Sequence, residues 1–236
     1  MGKGILITGT DTDVGKTIVT GGLAAVLREN GVDVGVMKPV ESGCRREDNN
    51  LIPQDALFLR EMAGCQDEMQ LVNPYALEHP LAPATAAQLE GVAIELDVIR
   101  EAYSILTSRH ELVLIEGAGG MLAPLNSQLF MADLAIKLGD IPILVVARDT
   151  LGAINHTLLT IHYARTEKID VMGMVLNCTC SRCGLEDCHN MEGLQRLADA
   201  PLLGRLPFLP HTDRESIKKA VRSNLDMEPL LQWLGR

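Results

Sequence analysis

The sequence predicts an α/β fold, a doubly wound and mostly parallel sheet flanked by helices. Short apolar runs alternate with longer amphipathic stretches, the pattern left by buried parallel strands and the helices that cross between them. Glycine-rich or charged segments follow several of the apolar runs, and in such sheets ligands gather at the carboxyl ends of strands. The 236 residues suffice for one large domain with a substantial core, and no linker-like stretch divides them, so residues 1–236 are expected to form a single domain.

The expected strands are Gly4 to Thr8, Val34 to Lys38, Leu112 to Ile115, Ile141 to Ala147 and Val171 to Leu176. Each is a short, nearly continuous apolar run, as a strand buried on both faces requires. Helical periodicity marks Lys16 to Glu29, Gln54 to Ala63, Leu96 to Ser108, Met131 to Leu138, Ala153 to Thr166, and a last helix from about Arg214 to Trp233. Loops with chemistry follow the strands: Gly9 to Thr17 after the first, Lys38-Pro39-Val40-Glu41-Ser42-Gly43 after the second, and Glu116-Gly117-Ala118-Gly119-Gly120 after the third.

A formal charge of -10 argues against nucleic acid as the main partner, because an extended acidic surface cannot replace the counterions a polyanion carries. No apolar run approaches the roughly 18 residues a membrane span needs, and the first residues lack a leader pattern, so the expected location is cytoplasmic. Of six cysteines, four crowd into Cys178, Cys180, Cys183 and Cys188. In a reducing compartment that density suggests either a structural metal, zinc or an iron-sulfur cluster, or a loop of reduced thiols; the spacing matches neither paired zinc knuckles nor a ferredoxin run. Cys44 and Cys65 stand alone and read as ordinary residues.

The loop Gly9-Thr10-Asp11-Thr12-Asp13-Val14-Gly15-Lys16-Thr17 joins an apolar strand to a helix. Converging backbone N–H groups and a helix N-terminus suit phosphate oxygens there, Lys16 adds mobile positive charge, and the Thr17 hydroxyl suits magnesium. This is a P-loop ending, although Thr10 stands where the first glycine is usual. The chain is therefore expected to be P-loop nucleoside triphosphate hydrolase-like. Magnesium prefers oxygen ligands, and Glu116 and Asp55 are the candidate carboxylates. Lys38 ends a buried strand beside the loop, where a second cation would stabilise charge on a transferring phosphoryl group.

Together with Asn73-Pro74-Tyr75, Leu151-Gly152-Ala153-Ile154-Asn155-His156 and Pro201 to Phe208, these segments resemble dethiobiotin synthetases over residues 4 to about 210. The resemblance implies a homodimeric ligase of biotin synthesis that takes 7,8-diaminononanoate, carbon dioxide and Mg-ATP to dethiobiotin, ADP and phosphate through a phosphorylated carbamate. It implies that Lys16, Lys38 and Thr12 serve catalysis, and that Asp13, Val14, Gly15, Lys16, Thr17, Gly117, Ala118 and Gly119 hold the nucleotide. It implies magnesium on Thr17, Asp55 and Glu116, and substrate at Thr12 and Ser42. Gly152, Ala153 and Asn155 match the family's site for the substrate carboxylate, supplied across the dimer interface. Asn177, with Leu206, Pro207 and Phe208, matches the purine-base site.

Three other readings compete. A nucleotide-switch ATPase of the partitioning type carries a lysine early in its loop, but the position five before Lys16 is Asp11. The glutamine-dependent amidases of cobalamin synthesis need a further domain for which the chain has no room. A metal scaffold centred on the cysteines leaves the phosphate loop unexplained.

Overall fold

The computed structural model describes residues 2–181 and 186–236, with the side chains of 186–188 excepted. In chain order the elements are β1 (Lys3–Gly9), α1 (Lys16–Glu29), β2 (Val34–Met37), β3 (Val40–Ser42), β4 (Arg45–Glu47), β5 (Asn50–Ile52), α2 (Gln54–Ala63), α3 (Met69–Val72), β6 (Tyr75–Leu77) and α4 (Pro83–Glu90). They continue with α5 (Leu96–Arg109), β7 (Leu112–Gly120), α6 (Met131–Lys137), β8 (Ile143–Arg148), α7 (Ala153–Thr166), β9 (Val171–Asn177), α8 (Glu186–Leu197), β10 (Leu202–Leu206), α9 (Arg214–Asn224) and α10 (Glu228–Leu234).

Six strands form a parallel sheet in the order β10-β9-β8-β1-β7-β2. Its continuous apolar runs are explained by burial on both faces. Leu6, Val113, Ile115, Ile143 and Val145 face a core closed by α5, α6 and α7, while Ile5, Ile7, Leu112, Leu114, Leu144 and Val146 face one closed by α1, α2 and α9. Each fully buried side chain of this size contributes about 1.5–3 kcal/mol relative to exposure. Helix periodicity supplies the other half: Ile99, Ala102, Tyr103 and Leu106 of α5 recur every third or fourth residue and are buried together.

Several expectations need correction. Glu116 to Gly120 is not a loop but the continuation of β7, which runs alongside β1 until Gly9 pairs with Gly120 across an irregularity between Ile7 and Gly9. Leu202 to Leu206 is a sixth strand at the sheet edge, too short and too interrupted by Gly204 and Arg205 to read as an apolar run. The last helix is two helices. The chain breaks at Leu225, which bridges Gly204, while the Asp226 N–H donates to the Leu203 carbonyl at 2.7 Å. Asp226 then accepts the N–H of Glu228 at 2.9 Å and Pro229 opens α10, a local start signal hidden by the apolar period on either side. The excursion between β2 and α2 holds the hairpin β4–β5 and the strand β3, which pairs with β6.

Candidate active site

The phosphate loop leaves β1 at the carboxyl edge of the sheet and feeds α1. Two residues take left-handed backbone angles, Asp13 at φ 57° and Gly15 at φ 89°. Gly15 is required twice over: that angle disfavours a side chain, and a Cβ there would lie 2.0 Å from the Asn177 amide nitrogen. The loop is held from behind by two strands, β8 and β9. Thr10 N–H donates to Val146 at 3.0 Å, Arg148 Nη2 donates to the Asp13 carbonyl at 2.9 Å, and Asn177 Nδ2 donates to the Val14 carbonyl at 2.9 Å. Arg148 was not singled out from sequence; a strand-end arginine carries no pattern that distinguishes a loop brace from a surface charge.

Beside the loop lies a cavity of about 420 Å³ lined by Thr12, Asp13, Gly15, Lys16, Thr17, Ile18, Lys38, Glu41, Ser42, Asp55, Glu116, Ala118 and Gly119. Nearly all residues expected to meet phosphate, magnesium and the transferring group therefore share one space. Glu116 is buried at the point where β7 passes the loop, and its Oε1 accepts from the Thr17 hydroxyl at 2.9 Å and from Lys38 Nζ at 2.5 Å. Asp55, in the first turn of α2, reaches Lys38 with Oδ2 at 3.2 Å. Lys16 Nζ donates to the Asp11 carbonyl at 3.0 Å, curled against its own loop.

The two lysines are held in opposite states. Burial, reinforced by Lys38, pushes the Lys16 ammonium down to about 8. Burial would do the same to Lys38, but Glu116 and Asp55 outweigh it and hold that ammonium above its ordinary range. Lys38 is thus a fixed cation and Lys16 one that gains charge stability when an anion arrives.

Thr17, Asp55 and Glu116 fit a hard cation. All three offer oxygen, and Glu116 Oε2 is buried with no hydrogen-bond partner among the described residues, an orphan acceptor aligned with such a use.

The remaining predicted residues are placed differently. Val14 is buried in the core and Gly117 lies against the Ile7 carbonyl, so these two shape the cavity rather than line it. Asn177 ends β9 and pairs with Leu206 of β10, which brings Pro207 and Phe208 beside it; its amide also braces the loop, a part the resemblance did not imply. Gly152 caps α7 with φ 95°, Ala153 is buried and Asn155 exposed, and none of the three lines the cavity within one chain. Cys178 is buried with its thiol toward Asp149 at 3.7 Å, and Cys180 is exposed. Cys183 and the side chain of Cys188 lie outside the described residues, and among the described residues no three metal-binding side chains cluster. Cys44 and Cys65 are buried, as ordinary residues would be.

A parallel sheet in this order, with a phosphate-binding loop between β1 and α1 and an acid on the adjacent β7, defines a P-loop nucleoside triphosphate hydrolase-like fold. A family described as an AAA domain matches residues 3–216. In overall structure the chain is similar to the septum site-determining protein MinD complexed with Mg-ADP from Pyrococcus horikoshii OT3 (TM-score 0.53, 17% identity, covering 100% of this chain and 91% of that one), a likeness of fold alone. Sequence relatives are closer: an ATP-dependent dethiobiotin synthetase of Thermodesulfovibrio yellowstonii is 37% identical over 98% of this chain and 99% of its own length. One of Bacillus licheniformis is 41% identical over 98% and 97%. The chain belongs to the ATP-dependent dethiobiotin synthetase family.

Proposed function

We propose that this protein is an ATP-dependent ligase that closes a ureido ring on 7,8-diaminononanoate with carbon dioxide, giving dethiobiotin, ADP and phosphate. The observation that carries the reading is the pairing, in one cavity, of a phosphate loop with a second, buried lysine: Lys38 meets Glu116 at 2.5 Å and Asp55 at 3.2 Å and shares that cavity with Lys16 and Thr17. A simple phosphate-binding loop needs one lysine; transfer of a phosphoryl group to a second anion calls for charge on both sides of it.

In this reading one amine of the substrate takes up carbon dioxide, loses a proton and becomes a carbamate. The carbamate oxygen then attacks the γ-phosphorus and ADP leaves. Attack of the second amine on the resulting mixed anhydride closes the ring, releasing phosphate and a proton. The backbone of Asp13 to Thr17 and the Lys16 ammonium hold the phosphates, Lys38 neutralises charge between carbamate and phosphoryl group, and Thr12 and Ser42 position the reacting carbamate or amine. Thr17, Asp55 and Glu116 would hold magnesium, which when bound neutralises phosphate charge. Positioning and charge neutralisation supply most of the acceleration in such transfers.

Thr12 and Gly119 also line a second cleft, of about 380 Å³, with Met121, Leu122, Leu159 and Tyr163. Its continuity with the cavity suits a diamine whose reacting end lies at Thr12 and whose carbon chain lies along apolar wall. Gly152, Ala153 and Asn155 would then receive the substrate carboxylate on a second protomer of a homodimer, where a helix N-terminus favours an anion. Asn177 and Leu206 to Phe208 would face the base. The protein is read as one domain working in the cytoplasm; among the described residues no helix is long and apolar enough to cross a membrane.

Phosphate release from ATP, followed with and without diaminononanoate and bicarbonate, tests the assignment. Turnover is expected only when both are present. Turnover indifferent to the diamine would overturn it.

A further inference from the structure

The excursion between β2 and α2 contains a buried acid, Glu41. Glu41, on β3, is 6% exposed; burial raises its carboxyl above the usual range, and among the described residues it makes no ion pair at contact distance. Its two oxygens are instead spent on backbone. Oε1 accepts the N–H of Asp55 at 2.9 Å and Oε2 accepts the N–H of Ala56 at 3.0 Å. These are among the first N–H groups of α2, which no local side chain satisfies: the residue preceding the helix is Pro53, and it makes no cap. Glu41 therefore caps α2 from another element, across the base of the β4–β5 hairpin.

The residue so held is Asp55 itself. Its side chain is 43% exposed and touches Lys38 alone among its ion-pair partners within the described residues, so little else fixes its direction. Lys38 lies only three positions before Glu41, and both line the same cavity. A carboxylate that accepts two backbone N–H groups fixes the turn that carries Asp55 relative to the strand that carries Lys38.

We infer that Glu41 is a positioning residue for the magnesium site: by capping α2 it sets where the Asp55 carboxylate stands, and so how tightly the protein–nucleotide complex takes a divalent cation. This rests on the reading of Thr17, Asp55 and Glu116 as the metal-holding set. Groups that orient metal ligands typically change metal affinity by about 10- to 100-fold when removed.

The test uses Mn²⁺ as the probe, with its affinity for the protein–ADP complex measured by electron paramagnetic resonance and ADP affinity measured separately in chelator. Glu41→Ala is expected to weaken Mn²⁺ binding about 10- to 100-fold while leaving metal-free ADP affinity within about twofold. Glu41→Gln, which keeps one acceptor oxygen for two N–H groups, is expected to fall between the variant and the parent. In an Asp55→Ala background the effect of Glu41→Ala should vanish, since the ligand it positions is gone. Unchanged Mn²⁺ affinity in either Glu41 variant would overturn the inference, and so would equal losses of Mn²⁺ and metal-free ADP binding, the mark of a merely structural cap. If Glu41→Ala does not fold, Glu41→Gln decides. If the parent protein and ADP together take up no Mn²⁺, it is the metal-site reading that fails, and the parent measurement alone reveals it.

Discussion

At the scale of single residues, the site turns on two lysines whose surroundings differ. Lys16 is pushed down to about 8, below its ordinary 10.5, by burial and then by Lys38. Between those values the unfolded chain holds a proton that the folded, nucleotide-free protein gives up. This group therefore costs stability at neutral pH, and the cost is relieved as pH rises from about 8 toward 10.5. A polyphosphate favours the charged form, so nucleotide should draw a proton back. Nucleotide affinity is expected to fall above about pH 8. Calorimetry near pH 9 in buffers of different ionisation heat should register proton uptake on binding; heats independent of the buffer would contradict it. Lys38 is fixed as a cation by Glu116, and its charge matters most when charge moves. Lys38→Gln should lower kcat on the order of 100-fold with a much smaller change in nucleotide Kd, and equal losses in both would remove its catalytic role. Sequence made Lys16, Thr17 and Glu116 legible because each opens a helix or directly follows an apolar run in a recognisable order. Arg148 and Glu41 were not legible as supports, because a backbone carbonyl or N–H as partner leaves no trace in spacing.

At the scale of elements, the ends of β8, β9 and β10 act as one block behind the phosphate loop. Asp149 follows β8 with its side chain fully buried, accepting from Arg205 Nε of β10 at 2.5 Å and from Asn190 Nδ2 of α8 at 2.8 Å. Asp149→Ala removes the acceptor common to both and is expected to destabilise the fold by about 1.5–3 kcal/mol, read as a lower denaturant midpoint. A midpoint unchanged within error would show that the block does not depend on it. The loop's own constraint is Gly15, where left-handed backbone costs a side chain about 1–2 kcal/mol and the added Cβ displaces Asn177. Gly15→Ala should weaken nucleotide binding at least about tenfold, the equivalent of roughly 1.4 kcal/mol, and retention of parental affinity would show that the loop adapts. Strands buried on both faces were legible as apolar runs. β10 was not, because Gly204 and Arg205 interrupt it, and the α9–α10 break was masked by apolar residues that continue the helical period across Leu225.

At the scale of the whole molecule, the sheet order brings β1, β2 and β7 together, so three segments distant in sequence meet around Lys16, Lys38 and Glu116. The order of loops along the chain is legible; which strands adjoin is not, because β1 lies between β7 and β8, over a hundred residues away. The turn at Gly152 to Asn155 stays outside the cavity, with Leu151 83%, Leu159 59% and Leu122 56% exposed near it in sequence or along the neighbouring cleft. If a second copy covers this surface and delivers the turn, sedimentation should give the mass of two chains, and Leu159→Glu should lower both that mass and diamine-dependent turnover. A monomeric parent with full activity would contradict the dimeric site. The central claim is that phosphate is transferred to a carbamate rather than to water. Turnover with ¹⁸O-labelled bicarbonate, diaminononanoate and unlabelled ATP tests it most directly, because the carbamate oxygen that attacks phosphorus leaves with the phosphate. Carbamate activation predicts inorganic phosphate carrying one labelled oxygen; unlabelled phosphate at the same rate of turnover would contradict it.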